Sequence, residues 1–166
     1  MIFDVQELLK TDGARVQIEG KLIPPEEFQT DEIQFHDDCR FVGQLENIGS
    51  VLELKAEAEG TLSTICARCT KPLEEAFKVS VTETLASESA EVTDRDAVIP
   101  LIGTSVDLNA VIWPSILSEM PTKFLCAPDC KGLCPHCGIN LNEDSCTCKE
   151  NVIDPRWADL LNWPRG

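Results

Sequence analysis

Nothing in this 166-residue sequence restricts its fold more than the placement of its nine cysteines. Eight of them form four close pairs: Cys66 with Cys69, Cys126 with Cys130, Cys134 with Cys137, and Cys146 with Cys148. A pair of cysteines two apart in a tight turn supplies two of the four thiolates that tetrahedral zinc requires. Eight thiols therefore divide into two sites. In "CPHCGINLNEDSCTC" the eight residues between Cys137 and Cys146, with Gly138 available for the turn, can fold back and close one site from Cys134, Cys137, Cys146 and Cys148. Cys126 and Cys130 are then left to join Cys66 and Cys69 across a long stretch of chain. Adjacent clusters can share or exchange cysteines, so other divisions of the eight stay open.

The spacing predicts two structural Zn2+ ions. Disulfides would need a secreted chain, and dense cysteines in a reducing compartment usually bind metal. A redox role for "CARC" has only Arg68 to lower a thiol pKa. Iron held by four thiolates uses similar knuckles and is a further alternative. A catalytic zinc keeps an open coordination position, whereas full cysteine sets close it, so the chain is not expected to be an enzyme. His136, between paired cysteines, is expected to point outward. His36 has no evident partner in the sequence, and Cys39 reads as a small buried apolar residue.

Charge narrows the class of partner. The formal net charge is −15, and residues 1–60 carry nine of those excess negative charges, concentrated at Glu26, Glu27, Asp31, Glu32, Asp37 and Asp38. Eight thiolates against two dications would take the total to about −19. Such a charge repels phosphate, while a field of one sign draws in a basic protein. Aromatics are 5% of residues, too few for a base-stacking surface. "MIFDVQELLK" does not resemble a signal peptide, and no apolar run approaches membrane-spanning length, so the expected location is cytoplasmic with no membrane partner.

Periodicity supplies the scaffold. "RVQIEGKLI" (15–23) alternates as a strand and "CRFVGQLEN" (39–47) is a second strand candidate, while "VLELKAEAEGTL" (51–62) and "AFKVSVTETL" (76–85) alternate with one buried and one wet face. Leu52, Leu54, Ala56 and Ala58 should face inward, as should Phe77, Val79 and Val81. The acidic stretch 24–38 reads as loop, and 86–98 as a flexible one. "SVDLNAVIWPSILSEMP" (105–121) fits a helix with Leu108, Val111, Ile112 and Ile116 on one stripe, capped by Asp107 or Ser105 and kinked or restarted at Pro114. Asp154 and Pro155 start a terminal helix carrying Trp157, Leu160 and Leu161. The expected fold class is α+β: an antiparallel β-sheet core, open or closed into a barrel, with a few short helices and a C-terminal cysteine-rich zinc-binding tail. Residues 1–125 should form a β-rich acidic domain with the kinked helix at about 105–120. Residues 126–166 should form a zinc-binding tail and terminal helix, packed on the first domain through the shared site.

"CARCTKPLE", "VDLNAVIWPSILSEMPTKFLC", "DCKGLCPHCGINLN" and "DPRWADLL" together resemble the YceD family, described as large ribosomal RNA subunit accumulation proteins. The resemblance runs from about residue 45 to the end, and "CKGLCPHCGINLN" is its most specific part. It implies a part in the synthesis, processing or stability of large-subunit ribosomal RNA, and brings no catalytic residues with it. The family's gene often lies beside that of a small basic ribosomal protein. The expected activity is thus a zinc-stabilised acidic accessory factor in ribosome biogenesis, binding a basic ribosomal protein or a pre-ribosomal large subunit. The alternative is direct rRNA binding through Arg68, Lys71, Lys131 and Lys149.

Overall fold

Segments 51–62 and 76–85 become the two longest strands among the described residues, and these run antiparallel over their whole length. The computed structural model describes residues 1–49, 51–87, 90, 94 and 98–148. In chain order these hold β1 (Ile2–Asp4), α1 (Gln6–Leu9), β2 (Arg15–Lys21), a 3-10 turn (Glu26–Phe28), β3 (Ile33–Phe35), β4 (Arg40–Asn47), β5 (Val51–Ile65), β6 (Pro72–Ala86), β7 (Ile99–Pro100), β8 (Ser105–Asp107) and α2 (Leu108–Glu119). The main sheet has six strands in the order β2-β4-β5-β6-β7, with β3 pairing the far end of β5. Val51 faces Ala86 and Ile65 faces Pro72, so β5 and β6 are one long hairpin whose tip is residues 66–71. β1 and β8 form a separate antiparallel pair.

Every residue expected to face inward on β5 and β6 is buried, including Leu52, Leu54 and Ala58 at 0% exposure. Helix α2 lies in the same core cluster through Leu108, Val111, Ile112, Trp113 and Ile116. Asp107 caps it by accepting from the Asn109 N–H at 3.1 Å, and Ser105 belongs to β8 instead. The helix does not restart at Pro114, which sits inside one continuous span. An interior proline costs about 3 kcal/mol. Five buried apolar side chains at roughly 1.5–3 kcal/mol each outweigh that cost. Trp113 sets its ring edge-on to Phe35, centroids 4.9 Å apart, which ties the helix to β3.

Four carboxylates on the solvent face of the sheet are paired with cations. Arg15 pairs with Glu46 at 2.8 Å, Arg40 with Glu59 at 2.7 Å, Lys78 with Glu57 at 3.0 Å, and Lys55 with Glu53. Cross-strand register explains this, because Arg15 lies opposite Glu46 and Arg40 opposite Glu59.

Several expectations need correction. The sheet is open and does not close into a barrel. Closure would require the edge strand β2 to bond the strand at the other edge, and β7 is two residues long and includes Pro100, which has no N–H to give. The acidic stretch is not all loop. It contains β3, too short to show a periodicity, whose edge is covered by side chains: Phe35 N–H donates to Gln29 Oε1 at 2.8 Å and Ile33 N–H to Thr30 Oγ1 at 3.0 Å. His36 has partners after all, with Nδ1 2.9 Å from Thr61 Oγ1 and Nε2 2.7 Å from Ser63 Oγ. Both hydroxyls sit on β5, twenty-five or more residues away in sequence, which is why no local pattern showed them. The expected terminal helix around Trp157, Leu160 and Leu161 lies outside the described residues, as does most of 86–98.

Candidate metal centre

The tip of the β5–β6 hairpin is a cysteine turn. Cys66 N–H donates to Lys71 O at 2.8 Å and Thr70 N–H donates back to Cys66 O at 2.9 Å. The same two bonds recur 68 residues later in the tail: Cys134 N–H to Ile139 O at 2.8 Å and Gly138 N–H to Cys134 O at 2.9 Å. The residue following the second cysteine has positive φ in both turns, 75° at Gly138 and 58° at Thr70. Glycine adopts that conformation freely, whereas β-branched threonine is strained in it. Strain of this kind persists where the surroundings over-determine the backbone.

The tail is laced to the hairpin tip by two main-chain bonds and one from a side chain. Ala67 N–H donates to Phe124 O at 2.9 Å, Leu133 N–H to Arg68 O at 3.0 Å, and the Arg68 guanidinium to Cys130 O at 2.7 Å. Gly132 permits this approach: its φ is +76° and an added Cβ would lie 3.0 Å from Arg68 O. Two clusters of thiols result. Cys66, Cys69, Cys126 and Cys130 form one, and Cys134, Cys137, Cys146 and Cys148 the other, with the ligand atoms of each set within 4.8 Å of one another. All eight are free thiols.

The chemistry of each set suits a dication. Four sulfurs about 2.3 Å from a tetrahedral zinc lie roughly 3.8 Å apart. Here Cys66 Sγ is 3.8 Å from Cys130 Sγ, Cys69 Sγ 3.6 Å from Cys126 Sγ, and Cys146 Sγ 3.5 Å from Cys134 Sγ. The thiols of each set differ in how readily they ionise. Cys66 is held down at about 6, first by the Cys126 N–H and further by the N–H groups of Cys69 and Arg68. Cys134 is likewise lowered to about 6 by the N–H groups of Cys137 and His136. Their neighbours go the other way: Cys126 is pushed up to about 12 by Cys130 and Cys69, and Cys148 to about 12 by Cys137. In the hairpin set Cys66 and Cys130 are lowered while Cys69 and Cys126 are raised, and in the tail set Cys134 is lowered while Cys146 and Cys148 are raised, because crowded sulfurs cannot all ionise together.

The clusters differ in exposure. Cys66, Cys69 and Cys130 are buried, while Cys137 is exposed and Cys146 and Cys148 are half-buried. His136 is exposed, and its backbone N–H rather than its imidazole reaches Cys134 Sγ, at 3.5 Å. Cys39 stands apart from both clusters. Burial pushes its thiol up to about 11, and its Sγ donates to His36 O at 3.2 Å. Sequence reasoning missed Asn142, whose side-chain Nδ2 donates to Cys130 Sγ at 3.4 Å. Its only local signal was the asparagine-rich "GINLNE".

The profile described as "Large ribosomal RNA subunit accumulation protein YceD" matches residues 54–162, which includes all eight clustered cysteines. The chain belongs to the YceD family. Among curated relatives, an uncharacterised protein of Mycobacterium bovis is 34% identical over 122 residues, covering 66% of this chain and 58% of the relative. An uncharacterised protein of Mycobacterium tuberculosis matches with the same figures. A protein of Zea mays called "Large ribosomal RNA subunit accumulation protein YCED homolog 1, chloroplastic" is 43% identical over 55 residues, 32% of this chain and 19% of that protein. The chain thus spans a little over half the length of the mycobacterial relatives it matches. No solved structure matches it. Among the described residues no helix is long and apolar enough to cross a membrane.

Proposed function

We propose that this chain is a cytoplasmic, non-enzymatic accessory factor in large-subunit ribosomal RNA accumulation, held in shape by two structural zinc ions. It acts through protein contacts with a basic ribosomal protein or a pre-ribosomal large subunit. The observation that carries the partner's chemistry is the contrast between two acidic surfaces. The sheet-face carboxylates Glu46, Glu53, Glu57 and Glu59 are each matched by a cation of the chain itself. Glu26, Glu27, Asp31, Glu32 and Asp37 are exposed, and among the described residues none of them makes an ion pair. Their charge is free to steer and hold a basic partner.

Direct RNA binding has less support. Of the basic residues near the cysteines, Arg68 directs its guanidinium at Cys130 O, 2.7 Å away, and Lys149 is outside the described residues. Lys71 and Lys131 remain for phosphate, against a strongly anionic whole.

The test is a pull-down from ribosome-containing extract across a salt series, with the chain compared to its Glu26→Lys/Glu27→Lys/Asp31→Lys variant. Basic large-subunit proteins should be retained at low salt, released as ionic strength rises, and lost in the charge-reversed variant. Retention of ribosomal RNA after all other protein is removed would refute the reading, as would capture that is indifferent to both salt and charge reversal.

A further inference from the structure

We propose that Asn142 is a positioning residue that couples the two thiol clusters, so that metal bound at the tail site tightens metal binding at the hairpin site. This rests on reading both clusters as metal centres. Asn142 belongs to the loop enclosed by the tail cluster, between Cys137 and Cys146, yet its side chain serves the other cluster. Its Oδ1 accepts from the Lys131 N–H at 2.8 Å, and its Nδ2 donates to Cys130 Sγ at 3.4 Å. The main-chain donor at Lys131 settles which end of the amide is oxygen, and so leaves an N–H for the sulfur.

The loop is stiffened so that this reach is kept. Asn140 Oδ1 accepts from both Asn142 N and Asn142 Nδ2, at 3.1 and 2.8 Å. Leu141 N–H donates to Gly132 O at 2.9 Å, fixing the loop's register against the segment that leads from Cys130 to Cys134. A loop closed at both ends by Cys134/Cys137 and Cys146/Cys148 holds Asn142 in place, and a loop released from its ion does not. An outer-shell partner that orients a metal ligand is typically worth 10–100-fold in affinity. Linkage makes the coupling reciprocal, since the same factor must appear at the tail site when the hairpin site fills.

The experiment uses the full chain loaded with Co2+ or Zn2+, with site affinities from chelator competition and the thiolate-to-cobalt charge-transfer band as the spectroscopic readout. Asn142→Ala should weaken the hairpin site about 10–100-fold. Cys134→Ser/Cys137→Ser should weaken it by a similar factor, and adding Asn142→Ala to that pair should cause no further loss. In a Cys66→Ser/Cys69→Ser background, Asn142→Ala should leave the tail site within about threefold, a result that a merely structural role in the loop would not give. Asn142→Asp keeps the oxygen for Lys131 while setting a carboxylate against the sulfur, so it should be at least as weak as alanine and guards against misfolding of either variant. Hairpin-site affinity within threefold of the unaltered chain in both variants, or additive losses in the combined one, would overturn the coupling. Failure of the unaltered chain to bind metal would remove it together with the reading beneath it.

Discussion

Replacing Gly132 by alanine tests the lacing of the tail to the hairpin tip, with Gly138→Ala as an internal control. Both glycines have φ near +75°, so each alanine takes on left-handed strain of about 1–2 kcal/mol. Around Gly138 nothing lies within 4 Å of the added Cβ, so strain is the whole cost there. At Gly132 the Cβ would sit 3.0 Å from Arg68 O, a backbone atom that accepts from Leu133 N–H. Relieving the contact means moving that carbonyl and losing a bond worth about 0.5–1.5 kcal/mol. The totals are about 1–2 kcal/mol for Gly138→Ala and about 1.5–3.5 kcal/mol for Gly132→Ala. Because metal binding and loop folding are one process, these costs should appear as weaker zinc binding. At tenfold per 1.4 kcal/mol they predict roughly 5–30-fold at the tail site for Gly138→Ala and roughly 10–300-fold at the hairpin site for Gly132→Ala. Chelator competition in backgrounds lacking Cys66/Cys69 or Cys134/Cys137 assigns each loss to its site. The reasoning also runs in reverse: Thr70→Gly removes strain of the same size and should tighten the hairpin site several-fold. Equal effects of the two alanines, or looser binding with Thr70→Gly, would refute the account of these turns.

Two further outcomes follow from the core and the thiols. Trp113→Ala should cost about 3–5 kcal/mol in urea unfolding with metal held constant, because a fully buried indole with no hydrogen-bond acceptor among the described residues loses packing alone; a loss under 1 kcal/mol would mean α2 is not packed as described. Cys66 and Cys134 have folded pKa values near 6, below their ordinary value of 9.0, so their ionised form stabilises the fold fully at high pH and that contribution is lost as pH falls through 6. Urea unfolding of the metal-free chain should therefore show stability falling as pH drops from about 9 to about 6, and a pH-independent midpoint across that window would contradict this.

Much of this was legible in the residues themselves. Alternation over 51–62 and 76–85 named the buried face of the central hairpin because side chains along a strand switch sides at every residue. The sets C-x2-C and C-x-C announced thiol clusters because the turn that joins two such cysteines is short and local. The reach of an eight-residue loop made Cys134, Cys137, Cys146 and Cys148 a candidate set, and it is the packed chain that brings those four thiols together.

Other features depended on the packed chain. His36 meets Thr61 and Ser63, and Asn142 meets Cys130, only because strands and loops far apart in sequence are laid side by side. Pro114 could interrupt a helix or sit inside one, and the burial of Trp113 and its neighbours decided for the second. What the linear order determines is what neighbours in the chain can do through periodicity, turn geometry and the length of a loop. What the tertiary structure decides is which distant groups share a desolvated space, because that depends on the sum of many packing energies rather than on any one of them.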